Sequence, residues 1–172
     1  AKLFFDKNDK RFNFIIIGDG PKRNECIEFA RKHELLNIEF RGSVRKSEIP
    51  KIQENSDILI ACVLDSKIYR FGVNLNKVYD YMASGRPVIL SADVLDDPIS
   101  LSKSGYVVKP QKPILIYKAL CKYIKLDPKV RKNMGENGYT YVKEHFDMKI
   151  LGRKMNQVLR YTQKTFKSRG QV

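Results

Sequence analysis

The sequence has no tryptophan, only two histidines (His33 and His145) and only three cysteines (Cys26, Cys62 and Cys121). The cysteines stand far apart with no Cys-x-x-Cys spacing, and neither histidine has a ligand-like neighbour, so neither a metal site nor a disulfide framework is indicated. A Cys–His nucleophilic pair is the functional alternative. Against it, Cys62 lies in an apolar, strand-like run where cysteine is usually a small buried hydrophobe. All three thiols are read as reduced. Long apolar runs are also missing: stretches such as 12–17 fall far short of the roughly 20 residues a membrane-spanning helix needs, and no charged-then-apolar leader opens the chain. The expected location is therefore the cytoplasm.

What is present is the composition of an ordinary globular domain, 42% hydrophobic and 30% charged over 172 residues. A chain of this length buries about 70% of the surface its unfolded form exposes, so 1–172 is expected to form one domain around one core without a staple. Charge is the figure out of line, 33 basic against 19 acidic residues for a net +14. Residues 149–172 hold Lys149, Arg153, Lys154, Arg160, Lys164, Lys167 and Arg169 and no acid, so half of the excess sits in that tail. An anionic partner is implied, and nucleic acid, an anionic membrane surface and phosphate-bearing small molecules all satisfy it. In the body of the chain, solvated lysines account for the surplus equally well.

Along the chain, the first eleven residues read as the exposed end of an element followed by a charged loop, with a segment upstream expected to be absent. A β-branched run at 12–17 reads as a strand buried on both faces, closed by the turn Gly18-Asp19-Gly20-Pro21. Pro21 then opens a helix to about His33. Strands follow at 37–40, 57–63, 87–91 and 105–108, with helices at 48–55, capped by Ser47, and at 76–84, ended by Gly85. Further helices are expected at 113–126, at 128–144 with a break near Gly135 or Gly138, and from 148 to about 165. Strands alternating with helices force parallel pairing through right-handed crossovers, which makes the fold class α/β with an open, doubly wound parallel sheet. In the last helix Leu151, Met155, Val158, Leu159, Thr162 and Phe166 form a stripe with the basic residues largely opposite. The tip, 167–172, reads as disordered.

In open α/β sheets ligands bind at the carboxyl ends of the strands, which here places Gly18 to Pro21, the loop Arg41-Gly-Ser-Val-Arg45 and the segment 69–77 on one edge. Gly18 and Gly20 can bring backbone close to a phosphate, but Arg23 fills the third glycine position of a dinucleotide fingerprint; a plain tight turn explains the pair equally well. Gly72, Asn74 and Asn76 precede a helix whose free N–H groups would face the cleft as a phosphate seat. On that helix Lys77, Asp80, Tyr81 and Ser84 share a face, while Val78, Tyr79 and Met82 turn to the sheet. Asp80 can accept two ribose hydroxyls and Lys77 can reach phosphate oxygens; the plainer alternative is a helix end steadied by its own aspartate with Lys77 solvated. Asp93, Asp96 and Asp97 form an acidic turn after a strand, read as solvated rather than metal-binding.

Four motifs in order, Gly18-Asp-Gly-Pro21, Asn37-Ile-Glu-Phe-Arg-Gly-Ser-Val44, Asn55-Ser-Asp-Ile-Leu-Ile60 and Gly72-Val-Asn-Leu-Asn-Lys-Val-Tyr-Asp-Tyr-Met-Ala-Ser-Gly-Arg-Pro-Val-Ile89, resemble the C-terminal domain of group 1 glycosyltransferases of GT-B architecture. The similarity covers roughly residues 10–160. It implies the Rossmann-like, nucleotide-sugar-binding half of a two-domain enzyme whose N-terminal acceptor domain and first strand of this domain would lie before Ala1. The donor motif of that family ends on a glutamate that holds the ribose, a place taken here by Asp80. Its first glutamate, which contacts the donor sugar, is replaced by Gly72, so sugar contacts fall to backbone at Val73, Asn74 and Leu75. Ser43, Val44 and Arg45 would present backbone to the nucleobase.

The same resemblance implies a metal-independent, retaining hexosyltransferase that needs no further cofactor. Its donor would be a nucleotide sugar, UDP-linked, and its acceptor a glycan or lipid-linked acceptor of bacterial surface polysaccharide synthesis such as lipopolysaccharide or capsule. Catalytic groups are expected in the N-terminal domain, so the isolated chain is expected to be inactive. The last helix would pack on that domain; the alternative is a peripheral contact with the anionic inner face of the membrane. Two other readings compete. A nucleotide-sugar epimerase of the same architecture would show carboxylates and histidines not found here, and a nucleic-acid-binding α/β domain is disfavoured because packing accounts for Tyr69, Phe71, Tyr79 and Tyr81.

Overall fold

The computed structural model describes residues 1–66, 69 and 75–169. Helix and strand alternate as the sequence predicts. Helix α1 (Lys2–Asp6) precedes β1 (Phe14–Ile17), α2 (Arg23–Lys32) leads to β2 (Ile38–Arg41), and a 3-10 turn (Lys46–Glu48) with α3 (Ile49–Glu54) leads to β3 (Leu59–Cys62). Next come α4 (Asn76–Ala83), β4 (Val88–Ser91), α5 (Pro98–Ser102) and β5 (Gly105–Val108), and the chain ends in α6 (Pro113–Ile124), α7 (Pro128–His145) and α8 (Met148–Arg169). Every strand pair is parallel, so the α/β class holds, but the strands form two sheets, β1–β2 and β3–β4–β5.

The core is built around β4, where Val88, Ile89, Leu90 and Ser91 are all buried. This strand is paired on both edges and covered on both faces, the situation in which a continuous apolar run is favoured over alternation. Val88 and Leu90 join Ala61, Val78, Met82, Ala92 and Ile99 on one side. Ile89 points the other way, to Phe4, Ala119 and Leu120. Strand β1, expected to be buried on both faces, is not: Ile15, Ile16 and Ile17 are 47%, 46% and 37% exposed. The cause is its position, since among the described residues it pairs with β2 alone.

Several local expectations are corrected. Helix α2 starts at Arg23, because Pro21 and Lys22 belong to a turn. Ser47 does not cap α3; it lies inside the 3-10 turn, and α3 has no side-chain cap. Helix α7 runs unbroken through Gly135 and Gly138, both buried, because the missing side chains let it approach the end of α4. Phe4, placed by the sequence on an exposed end, is 1% exposed and packs its ring 4.8 Å from Phe12 and 4.6 Å from Tyr117. Helix α5 was not foreseen, although Asp97-Pro98 is a cap followed by a favoured first helical residue: the buried Asp97 Oδ1 accepts the Ser100 N–H at 2.7 Å. The acidic turn is thus in part a structural cap. Helix α8 extends to Arg169, beyond the expected onset of disorder at 167, and 170–172 lie outside the described residues.

Candidate functional site

At the carboxyl end of β1, Gly18 takes φ +135°, a conformation that side chains rarely adopt, and its N–H is shared between the carbonyls of Arg41 and Gly42, each at 3.3 Å. This bond holds the turn after β1 beside the loop after β2. A Cβ on Gly20 or Gly42 would meet nothing within 4 Å, so the backbone of both turns borders open space. Ser43 and Arg45 are exposed and Val44 is half-buried, which leaves the backbone of this loop accessible. Three arginines of this shelf stand beside carboxylates. Arg23 lies 3.6 Å from Asp19, and Arg41 grips Glu39 with bonds of 2.7 and 3.1 Å that hold the Glu39 carboxyl below its usual range. Arg45 reaches Glu48 at 3.4 Å through its side chain, while its own backbone N–H donates to the same carboxylate at 3.0 Å.

The second half of the edge is built by β3, β4 and α4. Val63 continues β3 by donating its N–H to the Ser91 carbonyl at 3.0 Å, and Val78 and Met82 sink into the core, fixing α4 against the sheet. Tyr79 stacks on Phe146 at 4.3 Å between ring centres and anchors the outer flank. Leu75 caps the helix in extended backbone, its carbonyl accepting the Val78 N–H at 2.8 Å. Among the described residues no side chain caps α4, and its first turn holds no acid, so no anion offsets its positive end there. Lys77 and Asp80 are exposed, and Lys77 has no carboxylate partner among the described residues.

Two residues, Cys62 beside this helix and Tyr81 within it, were not singled out as ligand-binding. Cys62, at the end of β3, is exposed rather than buried as its run suggested. Burial of the sulfur still pushes its thiol up, with the Lys77 ammonium pulling the other way, which makes it a poor nucleophile at neutral pH. Tyr81, expected beside Lys77 and Asp80, instead turns toward the core, where burial raises its phenol and the Cys62 and Asp80 charges add to the shift. Cys62 lies at the carboxyl end of a strand, the signal that could have found it. The histidines stack on rings, His33 on Phe29 at 4.5 Å and His145 on Tyr141 at 4.6 Å.

The predicted residues therefore fall into two groups. Gly18, Gly20, Ser43, Val44 and Arg45 stand together on the β1–β2 shelf, and Leu75, Lys77 and Asp80 stand at α4. Among the described residues no hydrogen bond or ion pair joins them. Gly72, Val73 and Asn74 lie outside the described residues. Among the described residues no three His, Cys, Asp or Glu side chains are grouped as metal ligands, and no helix is long and apolar enough to cross a membrane.

The model of the family described as glycosyl transferases group 1 matches residues 2–125. No curated protein matches the chain. Among solved structures, sucrose-phosphate synthase from Thermosynechococcus elongatus is similar with a TM-score of 0.69 at 18% identity, over 88% of this chain and 38% of its own. The C-terminal domain of a glycosyl transferase group 1 family protein (LpcC) from Francisella tularensis gives 0.66 at 23% identity, over 84% of this chain and 74% of its own. Anabaena Alr3699/HepE, solved in complex with UDP-glucose, gives 0.68 at 16% identity, over 87% of this chain and 41% of its own. The chain thus spans about two fifths of the length of the first and third. These identities speak for the fold, the GT-B glycosyltransferase architecture that the motifs pointed to. With the family model matched across most of its length, the chain belongs to the group 1 glycosyl transferases and corresponds to their C-terminal domain.

Proposed function

We propose that the chain is the donor half of a glycosyltransferase, binding a UDP-sugar at the carboxyl edge of its strands. The observation that carries this reading is α4: a helix end with no side-chain cap among the described residues, Lys77 in its first turn with no carboxylate partner among them, and Asp80 one turn further on. In this reading the diphosphate sits on the α4 N-terminus and Lys77, the ribose hydroxyls donate to Asp80, and the base lies on the backbone of Ser43, Val44 and Arg45. Gly18 and Gly20 border the phosphates, and backbone N–H groups at Gly72, Val73, Asn74 and Leu75 meet the sugar. Helix end and ammonium together stabilise the departing diphosphate, the task a divalent metal performs elsewhere, so the reading needs no metal. The binding of UDP-glucose by the Anabaena protein supports the choice of base and of a hexose.

Acid–base groups and the acceptor pocket come, in this proposal, from an N-terminal domain, and transfer retains the anomeric configuration. The acceptor is a glycan or lipid-linked glycan of bacterial surface polysaccharide synthesis. Helix α8 meets the body at α7 and leaves Leu151, Met155, Val158 and Leu159 exposed in one stripe, a face suited to that domain. Calorimetric titration with UDP, GDP and ADP tests the donor reading. UDP is expected to bind saturably and more tightly than the other two, and Asp80→Ala to weaken it by about 10–100-fold through loss of hydrogen bonds to a charged group. Equal affinity in wild type and Asp80→Ala, or binding of none of the three by the full-length protein, overturns the assignment.

A further inference from the structure

The loop after β2 is tied at both ends. At its start the Gly42 carbonyl accepts the Gly18 N–H at 3.3 Å. At its end Arg45, in extended backbone, opens the 3-10 turn Lys46–Glu48, and the two ends of that turn bond reciprocally. The Arg45 carbonyl accepts the Glu48 N–H at 2.9 Å, while Glu48 Oε2 accepts the Arg45 N–H at 3.0 Å and Arg45 Nε at 3.4 Å. Glu48 is exposed, so its carboxylate serves this tie rather than the core.

A peptide unit is planar and trans, so fixing one of its two polar groups fixes the direction of the other. The bond on the Gly42 carbonyl therefore sets the Ser43 N–H, and the bond on the Arg45 N–H sets the Val44 carbonyl, each pointing away from its tie. Among the described residues, neither the backbone N–H nor the carbonyl of Ser43 or Val44 has a hydrogen-bond partner. The loop thus presents one donor and one acceptor of set direction, and the acceptor is held by a single side chain. Such a pair can tell the two pyrimidines apart. Both rings offer a carbonyl oxygen to the Ser43 N–H, but at N3 uracil carries a hydrogen and cytosine a lone pair, so an acceptor fixed opposite N3 matches the first and repels the second. Freed to rotate, the peptide between Val44 and Arg45 could turn its N–H to N3 instead and accept cytosine.

We infer that Glu48 is a positioning residue for base selection: by holding the Arg45 N–H, it keeps the Val44 carbonyl aimed at the N3–H of uracil and against the N3 lone pair of cytosine. The inference rests on the donor reading above and adds to it a residue that itself touches no part of the donor. Removing the carboxylate takes away one hydrogen bond to the backbone and leaves every group that meets phosphate or ribose in that reading in place, so its effect is expected in the choice of base.

Titration of the full-length protein with UDP, CDP and inorganic pyrophosphate, in wild type, Glu48→Ala and Glu48→Gln, tests it. Wild type is expected to prefer UDP to CDP by about 100-fold, and Glu48→Ala to cut that preference by about 10-fold while its affinity for pyrophosphate stays within about 3-fold of wild type. Glu48→Gln, whose amide oxygen can still accept the Arg45 N–H, is expected to keep the preference within about 3-fold. Amide exchange without ligand reads the tie itself: relative to intrinsic rates, Arg45 is expected to exchange about 10-fold more slowly than Ser43 and Val44 in wild type and Glu48→Gln, and as fast as they do in Glu48→Ala. An Arg45 amide as fast as its neighbours in wild type overturns the inference, and so does a preference for UDP that Glu48→Ala leaves unchanged; both results leave the donor reading standing. Equal losses of UDP, CDP and pyrophosphate in Glu48→Ala also overturn it, as the mark of a residue that only supports the fold. A wild-type protein that binds neither nucleotide overturns the donor reading and this inference together.

Discussion

Alanine at Gly135 is expected to lower stability by about 3 kcal/mol and the melting temperature by about 6–12 °C for a domain of this size. A Cβ there would stand 1.9 Å from the Gly85 carbonyl oxygen and 2.8 Å from its carbon, so backbone must give way to backbone. Gly85 has little freedom to yield, since it holds φ +70° at the close of α4 and its N–H is bonded to the Met82 carbonyl at 3.0 Å. In the proposed site the contact matters beyond folding: α7 packs on α4, and α4 carries Lys77 and Asp80. Gly152→Ala in α8 is the control, because a Cβ there meets nothing within 4 Å; it should be neutral or stabilising by up to about 1 kcal/mol. Thermal unfolding followed by circular dichroism separates the two. Equal melting temperatures would mean that α7 does not approach α4 this closely.

Alanine at Phe4 is expected to cost about 3–5 kcal/mol, the range for emptying a buried aromatic site. The ring contacts Phe12, Phe14 and Tyr117 at 4.8, 5.9 and 4.6 Å between centres, and the same cluster reaches Ile89 of β4 and Leu120 of α6. Phe4 therefore links the β1–β2 sheet to the rest of the molecule, and its loss should loosen that sheet first. Urea unfolding gives the energy, and amide exchange in β1 and β2 gives the place. A cost below about 1 kcal/mol would show that the two sheets are held together elsewhere.

The alternation of strands and helices was legible because each strand carries a β-branched run and each following helix has an apolar stripe. The 87–91 run predicted β4 almost residue for residue, since a strand paired and covered on all sides needs no polar position. The same reasoning failed at β1. Its isoleucines look identical in sequence, and nothing in them records that one edge has no partner among the described residues. Gly135 and Gly138 illustrate the opposite error: glycine reads locally as a helix breaker, while its use here is a tertiary contact, of Gly135 with Gly85 and of Gly138 with Ser104 and Met82. Phe4 was missed for want of flanking sequence to give a five-residue helix its period.

At the site, Lys77, Asp80 and the buried pair Val78 and Met82 follow from helical spacing alone. The inward turn of Tyr81 does not, because the spacing leaves it at the boundary between the two faces. Nor could spacing reveal that Arg41 and Arg45 are already bonded to Glu39 and Glu48, whereas Lys77 has no carboxylate partner among the described residues.

The proposed donor site is tested most directly by following backbone amide shifts of the full-length protein, or of this chain if it binds, during titration with UDP at two salt concentrations. Saturable shifts are expected at Ser43, Val44 and Arg45 and from Leu75 through Asp80, with little change of midpoint between the two salts. Shifts confined to the basic face of α8, at Lys149, Arg153 and Arg160, that fade as salt rises would contradict the account and point instead to a surface for polyanions.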